Sequence, residues 1–130
     1  METDKEKPND TSDYNRGVKM TDEKAMALNE SIKRSEEYRT YSETLQRVKA
    51  NEELYAAMNA FRRRNYELQC YNDGINRYQE IHNLAMEYEK VLRHPDVNAF
   101  LVAEQVFSRK LQMLFDSITE GLELDYDYMG

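Results

Sequence analysis

The chain has 130 residues, a formal net charge of -7, only 4 glycines and 2 prolines, and one cysteine. This length suits one domain, and the scarcity of glycine and proline favours long regular elements over a loop-rich sandwich. No apolar run could span a membrane, no secretory signal is apparent, and the single Cys70 cannot form an intrachain disulfide. We therefore expect a cytoplasmic protein, and its acidity argues against binding DNA.

The first twenty residues offer little that could be buried, so residues 1–20 are predicted to be a disordered tail. Thr21 is a suitable helix cap, and we expect an ordered helical domain over 21–122. The apolar positions of the first helix do not continue in phase into the next, which predicts a break near Ser35. An acidic C-terminal tail is expected over 123–130.

The next elements have clear boundaries. Asn51 is a good cap for a third helix, which Asn72-Asp73-Gly74 should end. A fourth helix is predicted from the apolar spacing of Tyr78, Ile81, Leu84 or Ala85, Tyr88 and Val91. Pro95 suits the first turn of a fifth, strongly apolar helix that Gly121 should end. The apolar positions of that helix are Val97, Phe100, Leu101, Phe107, Leu111, Leu114, Phe115 and Ile118.

These patterns predict an all-α protein of about five amphipathic helices, with long antiparallel helices forming a helical bundle. A chain this small cannot cover both sides of several helices of about 30 Å. We therefore expect self-association to complete the bundle, most simply as a homodimer formed through the third and fifth helices.

Two charged features interrupt the apolar pattern. The run Arg62 to Arg64 points in three directions on a helical wheel, and Glu104 lies in the middle of the fifth helix's apolar stripe. A carboxylate in that position needs a partner. We predict a structural ion pair between Arg64 and Glu104, with Arg62 as the second candidate. On the outer face, Arg63 shares a strip with Glu67 and Cys70, and with Arg62 these residues are candidate partner contacts.

The stretch "SIKRSEEYRTYSETLQRVKANEELYAAMNAFRRRNYELQ", with "HPDVNAFLVAEQVFSRKLQMLFDSI" and the following "LDYDYM", resembles the YlbF/YmcA family of small bacterial regulators. The resemblance implies an all-helical cytosolic protein of Gram-positive bacteria that associates with itself or with related family members. It also implies links to competence, sporulation, biofilm formation and an RNA-processing complex. Family members are associated with iron–sulfur clusters, but Cys70 alone cannot supply four thiolates, so no cofactor is expected.

Three functional classes follow from these observations. A non-catalytic regulator or adaptor acting through protein contacts is favoured. A helical oligomer of unrelated role is almost equally compatible with the sequence. The alternative is an RNA-binding accessory that uses Arg62, Arg63 and Arg64, with Tyr66 and Tyr71 as stacking surfaces. An enzyme or metal protein is disfavoured, because His82 and His94 lack metal-ligand spacing and no nucleophile–base pair is apparent.

Overall fold

The computed structural model describes residues 7–71 and 76–129, with side chains described for 15–70 and 76–129. The described residues form an all-α fold, as predicted, and contain no strand. The helices are α1 (Lys7–Lys33), α2 (Glu36–Lys49), α3 (Glu52–Tyr71), α4 (Arg77–Glu87), α5 (Glu89–Arg93) and α6 (Pro95–Thr119), followed by a 3-10 turn, Asp127–Met129. The chain divides into two compact units, Met1–Arg39 and Thr40–Gly130.

In the first unit, α1 begins at Lys7, so the expectation that helical structure starts near Thr21 is wrong. The Thr21 hydroxyl does not act as a start signal here, because it donates to the carbonyl oxygen of Gly17 at 3.0 Å, inside the helix. All side chains over 15–27 are exposed. The helix therefore extends through a stretch with little to bury, since adding residues to an existing helix costs little. Residues 1–6 of the predicted tail lie outside the described residues.

The predicted break near Ser35 is confirmed, since α1 ends at Lys33 and α2 begins at Glu36. The Ser35 hydroxyl accepts a hydrogen bond from the backbone N–H of Tyr38 at 3.2 Å and donates to the carbonyl of Ile32 at 2.6 Å. One side chain thus satisfies a carbonyl at the end of α1 and an amide at the start of α2.

The core of the second unit is small. Val48 of α2, Met58 of α3, and Val97 and Phe100 of α6 form one fully buried cluster. Around them lie partly buried side chains, namely Tyr41, Leu45, Leu54, Tyr55, Val91 and Leu101. Helix α3 packs against α4 and α5, and α5 packs against α6. The chain from α2 to α6 therefore wraps one cluster at the N-terminal end of α6.

The fourth predicted helix is two helices, which corrects the expected number. Tyr88 separates α4 from α5, with backbone angles of φ -102° and ψ 20°. The break is local, since Tyr88 N–H still donates to the Leu84 carbonyl and Leu92 N–H donates to Tyr88. The Tyr88 ring packs edge-on against Phe61 at a centroid distance of 5.7 Å. Of the two residues offered for one apolar position of this helix, Leu84 is buried and Ala85 is exposed. Tyr78, predicted as another apolar position, is exposed.

Other boundaries agree with the sequence. The His94 ring accepts a hydrogen bond from the Asp96 amide at 3.1 Å, and Pro95 is the first residue of α6. Gly121, just beyond the end of α6, has a φ of 80°, which favours glycine. Helix α3 ends at Tyr71, but the predicted stop Asn72-Asp73-Gly74 lies outside the described residues.

Asn51 gives a direct test of the predicted capping. Its side-chain oxygen accepts a hydrogen bond from the Leu54 amide at 3.1 Å. Asn51→Ala should lower the free energy of unfolding by about 1 kcal/mol, because an amide at the start of α3 loses its partner. Asn51→Ser should keep most of the stability. Urea denaturation would measure both.

The matched control is Asn98→Ala, since Asn98 is an exposed asparagine inside α6 where alanine is the better helix former. That control should be neutral or slightly stabilising. Equal stability of Asn51→Ala and the unmodified chain would contradict the role of Asn51.

Candidate functional site: the seam of helix α6

Helix α6 carries a regular apolar seam along one side. Its members are separated alternately by three and four residues, which is the a and d pattern of a coiled coil. The a positions are Val97, Glu104, Leu111 and Ile118, and the d positions are Phe100, Phe107 and Leu114. Phe115 lies beside this seam at an e position. Apart from Glu104, the side of α6 that enters the core thus stays apolar to the end of the helix.

The N-terminal half of this seam is covered by the chain's own core. Val97 and Phe100 are fully buried against Val48 and Met58. The ring of Tyr41 lies 5.4 Å, between centroids, from both Phe100 and Phe107. Phe107 therefore still contacts an aromatic ring at the edge of the core, and it is half-buried.

The C-terminal half of the seam is open. Leu111, Phe115 and Ile118 are exposed, and Leu114 is half-buried. We call these four residues the open seam. Phe115 and Ile118 are 66% and 55% exposed. Apolar side chains that are contiguous along one helix face and uncovered are typical of a surface that contacts another protein.

Glu104 and Arg62 occupy the boundary between the covered and open halves. They form an ion pair in which Arg62 donates from its guanidinium group, with side-chain exposures of 35% for Arg62 and 30% for Glu104. Arg62 also donates to the Asn59 side-chain oxygen at 3.0 Å and lies 5.2 Å from the centroid of the Phe100 ring. The carboxylate in the apolar seam is therefore paired, and both groups still reach water.

The predicted pair between Arg64 and Glu104 is wrong, and the second candidate, Arg62, forms the pair instead. Arg64 donates to Glu87 of α4 and lies 5.6 Å from the Tyr88 ring centroid. The hydrogen bond to Glu87 raises the pKa of Arg64, and Tyr88 adds to the effect. The two arginines lie on different sides of α3, with α6 on the Arg62 side and α4 on the Arg64 side.

Glu87 was not predicted as the partner of Arg64, although the spacing of residues on α4 indicates its position. Glu80, Leu84 and Glu87 are spaced by four and three residues, so they share one face of α4. Leu84 is buried, which places its neighbours along the contact with α3. A cavity of about 600 Å³ opens there between α3 and α4, lined by Arg64, Glu67, Leu68, Glu80, Asn83, Leu84 and Glu87.

Three of the four candidate partner contacts form an exposed strip on the outer side of α3. Arg63 is exposed and pairs with Glu67 one turn away at 3.4 Å, and Cys70 is also exposed. Cys70 raises the pKa of the neighbouring Tyr66 through a side-chain hydrogen bond. The fourth candidate, Arg62, turns inward to Glu104. Tyr71 contributes no described side chain.

The histidines do not converge on a site. His82 is exposed on α4, and His94 accepts a hydrogen bond at the start of α6. Within 7–71 and 76–129, no group of three histidine, cysteine or acidic side chains could hold a metal ion. None of the described helices has the length and apolarity needed to cross a membrane.

The Arg62–Glu104 pair makes a quantitative prediction. In a double-mutant cycle, Arg62→Ala and Glu104→Ala should show a coupling of about 1 kcal/mol in the free energy of unfolding, because the pair is only partly buried. The matched cycle of Arg64→Ala with Glu104→Ala should be additive within about 0.5 kcal/mol. Coupling in the Arg64 cycle together with additivity in the Arg62 cycle would contradict the observed pairing.

Comparison with known proteins identifies the family. A family model described as "Control of competence regulator ComK, YlbF/YmcA" matches residues 21–123. Neither the curated proteins nor the solved structures gave a significant match. The family match covers most of the chain, including all of α2 to α6. The chain therefore belongs to the YlbF/YmcA family.

Proposed function

We propose that this chain is a non-catalytic cytoplasmic regulator that acts by binding another protein through the open seam of α6. Membership of a family described by its control of the competence regulator ComK supports a regulatory role. The partner is a second copy of the chain or a related family protein.

The observation that carries this proposal is the contrast between the two halves of one seam. The apolar spacing is the same from Val97 to Ile118, but the chain buries only the first part of it. Leaving Leu111, Phe115 and Ile118 in water forgoes about 25 cal/mol for each Å² of apolar area that could be covered. A second helix with similar spacing could cover them.

The arginine run favours this function over RNA binding. Arg62 and Arg64 are each paired with a glutamate, and the exposed Arg63 has Glu67 beside it. A nucleic-acid phosphate would therefore have to displace a carboxylate at each of the three positions. This arrangement stabilises contacts between helices and leaves little free positive charge for a phosphate backbone.

Two matched variants of α6 test the proposed function. Phe115 on the open seam is 66% exposed, and Met113 on the opposite side of the helix is 63% exposed. Phe115→Glu introduced into the host's own gene should change ComK-dependent transcription as a deletion does, because a charge at the contact prevents partner binding. Met113→Glu should leave transcription unchanged.

Immunoblots should show that both variants accumulate to the level of the unmodified chain, so that lost function is separated from lost protein. If Phe115→Glu accumulates normally and supports normal transcription, the open seam is not the regulatory contact. An equal loss of function in both variants would also contradict a contact confined to the seam.

A further inference from the structure

We infer that residues 122–128 add as a β-strand to the open edge of a sheet in another protein, one that carries lysine or arginine side chains beside that edge. We call these residues the docking segment. In order, they are Leu122, Glu123, Leu124, Asp125, Tyr126, Asp127 and Tyr128. This contact is separate from the open seam of α6 and goes beyond the proposed function, so either can fail without the other.

The docking segment alternates strictly between apolar and acidic side chains. Leucine or tyrosine occupies each even-numbered position, and glutamate or aspartate occupies each odd-numbered position. In an extended strand, this order places every apolar side chain on one face and every carboxylate on the other. In a helix, it would place Leu122 and Leu124 on nearly opposite sides. The pattern therefore predicts a strand, in a chain whose described residues contain no sheet for it to join.

The apolar side chains of the docking segment are uncovered. Its leucine and tyrosine side chains are 55% to 81% exposed. The rings of Tyr126 and Tyr128, two residues apart, lie near each other with a centroid distance of 6.4 Å. Four exposed apolar side chains that share one face in the extended conformation are typical of a surface that contacts another protein.

The backbone of the docking segment is also available. Residues 122–126 lie in neither a helix nor a strand. None of the described residues accepts a hydrogen bond from the backbone amides over 123–126. These amides can therefore pair with the unpaired carbonyls of a sheet edge. The turn Asp127–Met129 has to open on binding, which breaks the hydrogen bond of 2.9 Å from the Met129 amide to the Tyr126 carbonyl.

The charge of the docking segment indicates the chemistry of the partner. Every charged residue after Lys110 is acidic. Opposite charges on neighbouring strands stabilise their pairing, and like charges weaken it. Two paired copies of the segment would bring carboxylates together, so a second copy is disfavoured as the occupant. The same carboxylates would be repelled by nucleic-acid phosphates and by an anionic membrane surface. The partner that fits is a protein with a basic sheet edge.

The two sides of the segment have different parts in this contact. Main-chain hydrogen bonds to the edge strand supply affinity that depends little on sequence, and pockets for alternate side chains supply specificity. The leucine and tyrosine side chains would enter those pockets. The carboxylates on the other face would lie beside the lysine or arginine side chains, and this attraction weakens as salt is added.

The first experiment maps the contact in the host by photo-cross-linking. The photoreactive residue p-benzoylphenylalanine replaces each residue over 122–128 in turn, in the full chain expressed from its own gene. Illumination should join the chain to one protein, with higher yield at the even-numbered positions than at the odd-numbered ones. The same probe at Tyr78, which is 87% exposed on α4, should not form this adduct.

The yields and the cross-linked site decide the outcome. Mass spectrometry should place the cross-link in or beside an edge strand of the partner, with lysine or arginine residues nearby. Yields that are uniform, or that peak every three or four residues as on a helix, would overturn the inference. So would the absence of any adduct, a cross-link to a helix of the partner, or an adduct formed with a second copy alone.

The second experiment measures the affinity of the purified full chain for the cross-linked protein by isothermal titration calorimetry. Tyr128→Ala should weaken binding about tenfold, because an exposed aromatic side chain loses its pocket. Asp125→Lys should weaken it by a similar factor. The matched controls Tyr78→Ala and Asp116→Lys, at exposed residues of α4 and α6, should leave the affinity unchanged.

Phe115→Glu separates this contact from the open seam. It should bind the cross-linked protein with normal affinity, because Phe115 lies outside the docking segment. Loss of binding in Phe115→Glu but not in Tyr128→Ala would assign the partner to the open seam and overturn this inference. Normal binding by both Tyr128→Ala and Asp125→Lys would also overturn it, and would leave the proposed function unaffected.

Discussion

The length of α6 determines most of the remaining structure. Its 25 residues span about 37 Å, but its buried side chains, Val97, Phe100 and Ala103, all lie between Pro95 and Ala103. Farther along the same side of the helix, Leu111, Phe115 and Ile118 are exposed. The same seam therefore serves first as part of the core and then as an exposed surface.

The Arg62–Glu104 pair lies between the covered half and the open half of that seam. A carboxylate at an a position would be costly deep in a core, but Glu104 lies where burial declines, and Arg62 reaches it from α3. The guanidinium group also packs over Phe100, so the pair closes the edge of the core. Such a polar residue at an a position also disfavours pairings that would bury it without its partner.

Local chemistry explains the parts of the fold that the sequence predicted well. Ser35, Asn51 and Pro95 form helix boundaries through hydrogen bonds or backbone restrictions that involve only their near neighbours. Thr21 shows the limit of this reasoning, because a threonine hydroxyl can cap a helix or bond a carbonyl within one, and here it does the latter. The break at Tyr88 was not predicted because the helical spacing of apolar residues continues through it, from Leu84 to Val91.

The candidate site was predicted only in part, for a similar reason. Periodicity placed Glu104 in the apolar seam of α6 and pointed Arg62 and Arg64 of α3 in different directions. A helical wheel contains no information about which neighbouring helix lies on which side, so Arg64 was paired with Glu104 instead of Glu87. The apolar residues of α6 were identified, but the sequence alone could not show that Phe100 is buried while Ile118 is exposed.

The central claim is that the two halves of α6 differ in what covers them, and hydrogen–deuterium exchange at several protein concentrations tests it most directly. Amides over 97–104 should exchange slowly at every concentration, because the chain's own core covers them. Amides over 108–118 should exchange faster in dilute samples and become more protected as concentration rises, since the second copy proposed as a partner would then cover the open seam. Protection over 108–118 that is independent of concentration, and equal to that over 97–104, would contradict this account.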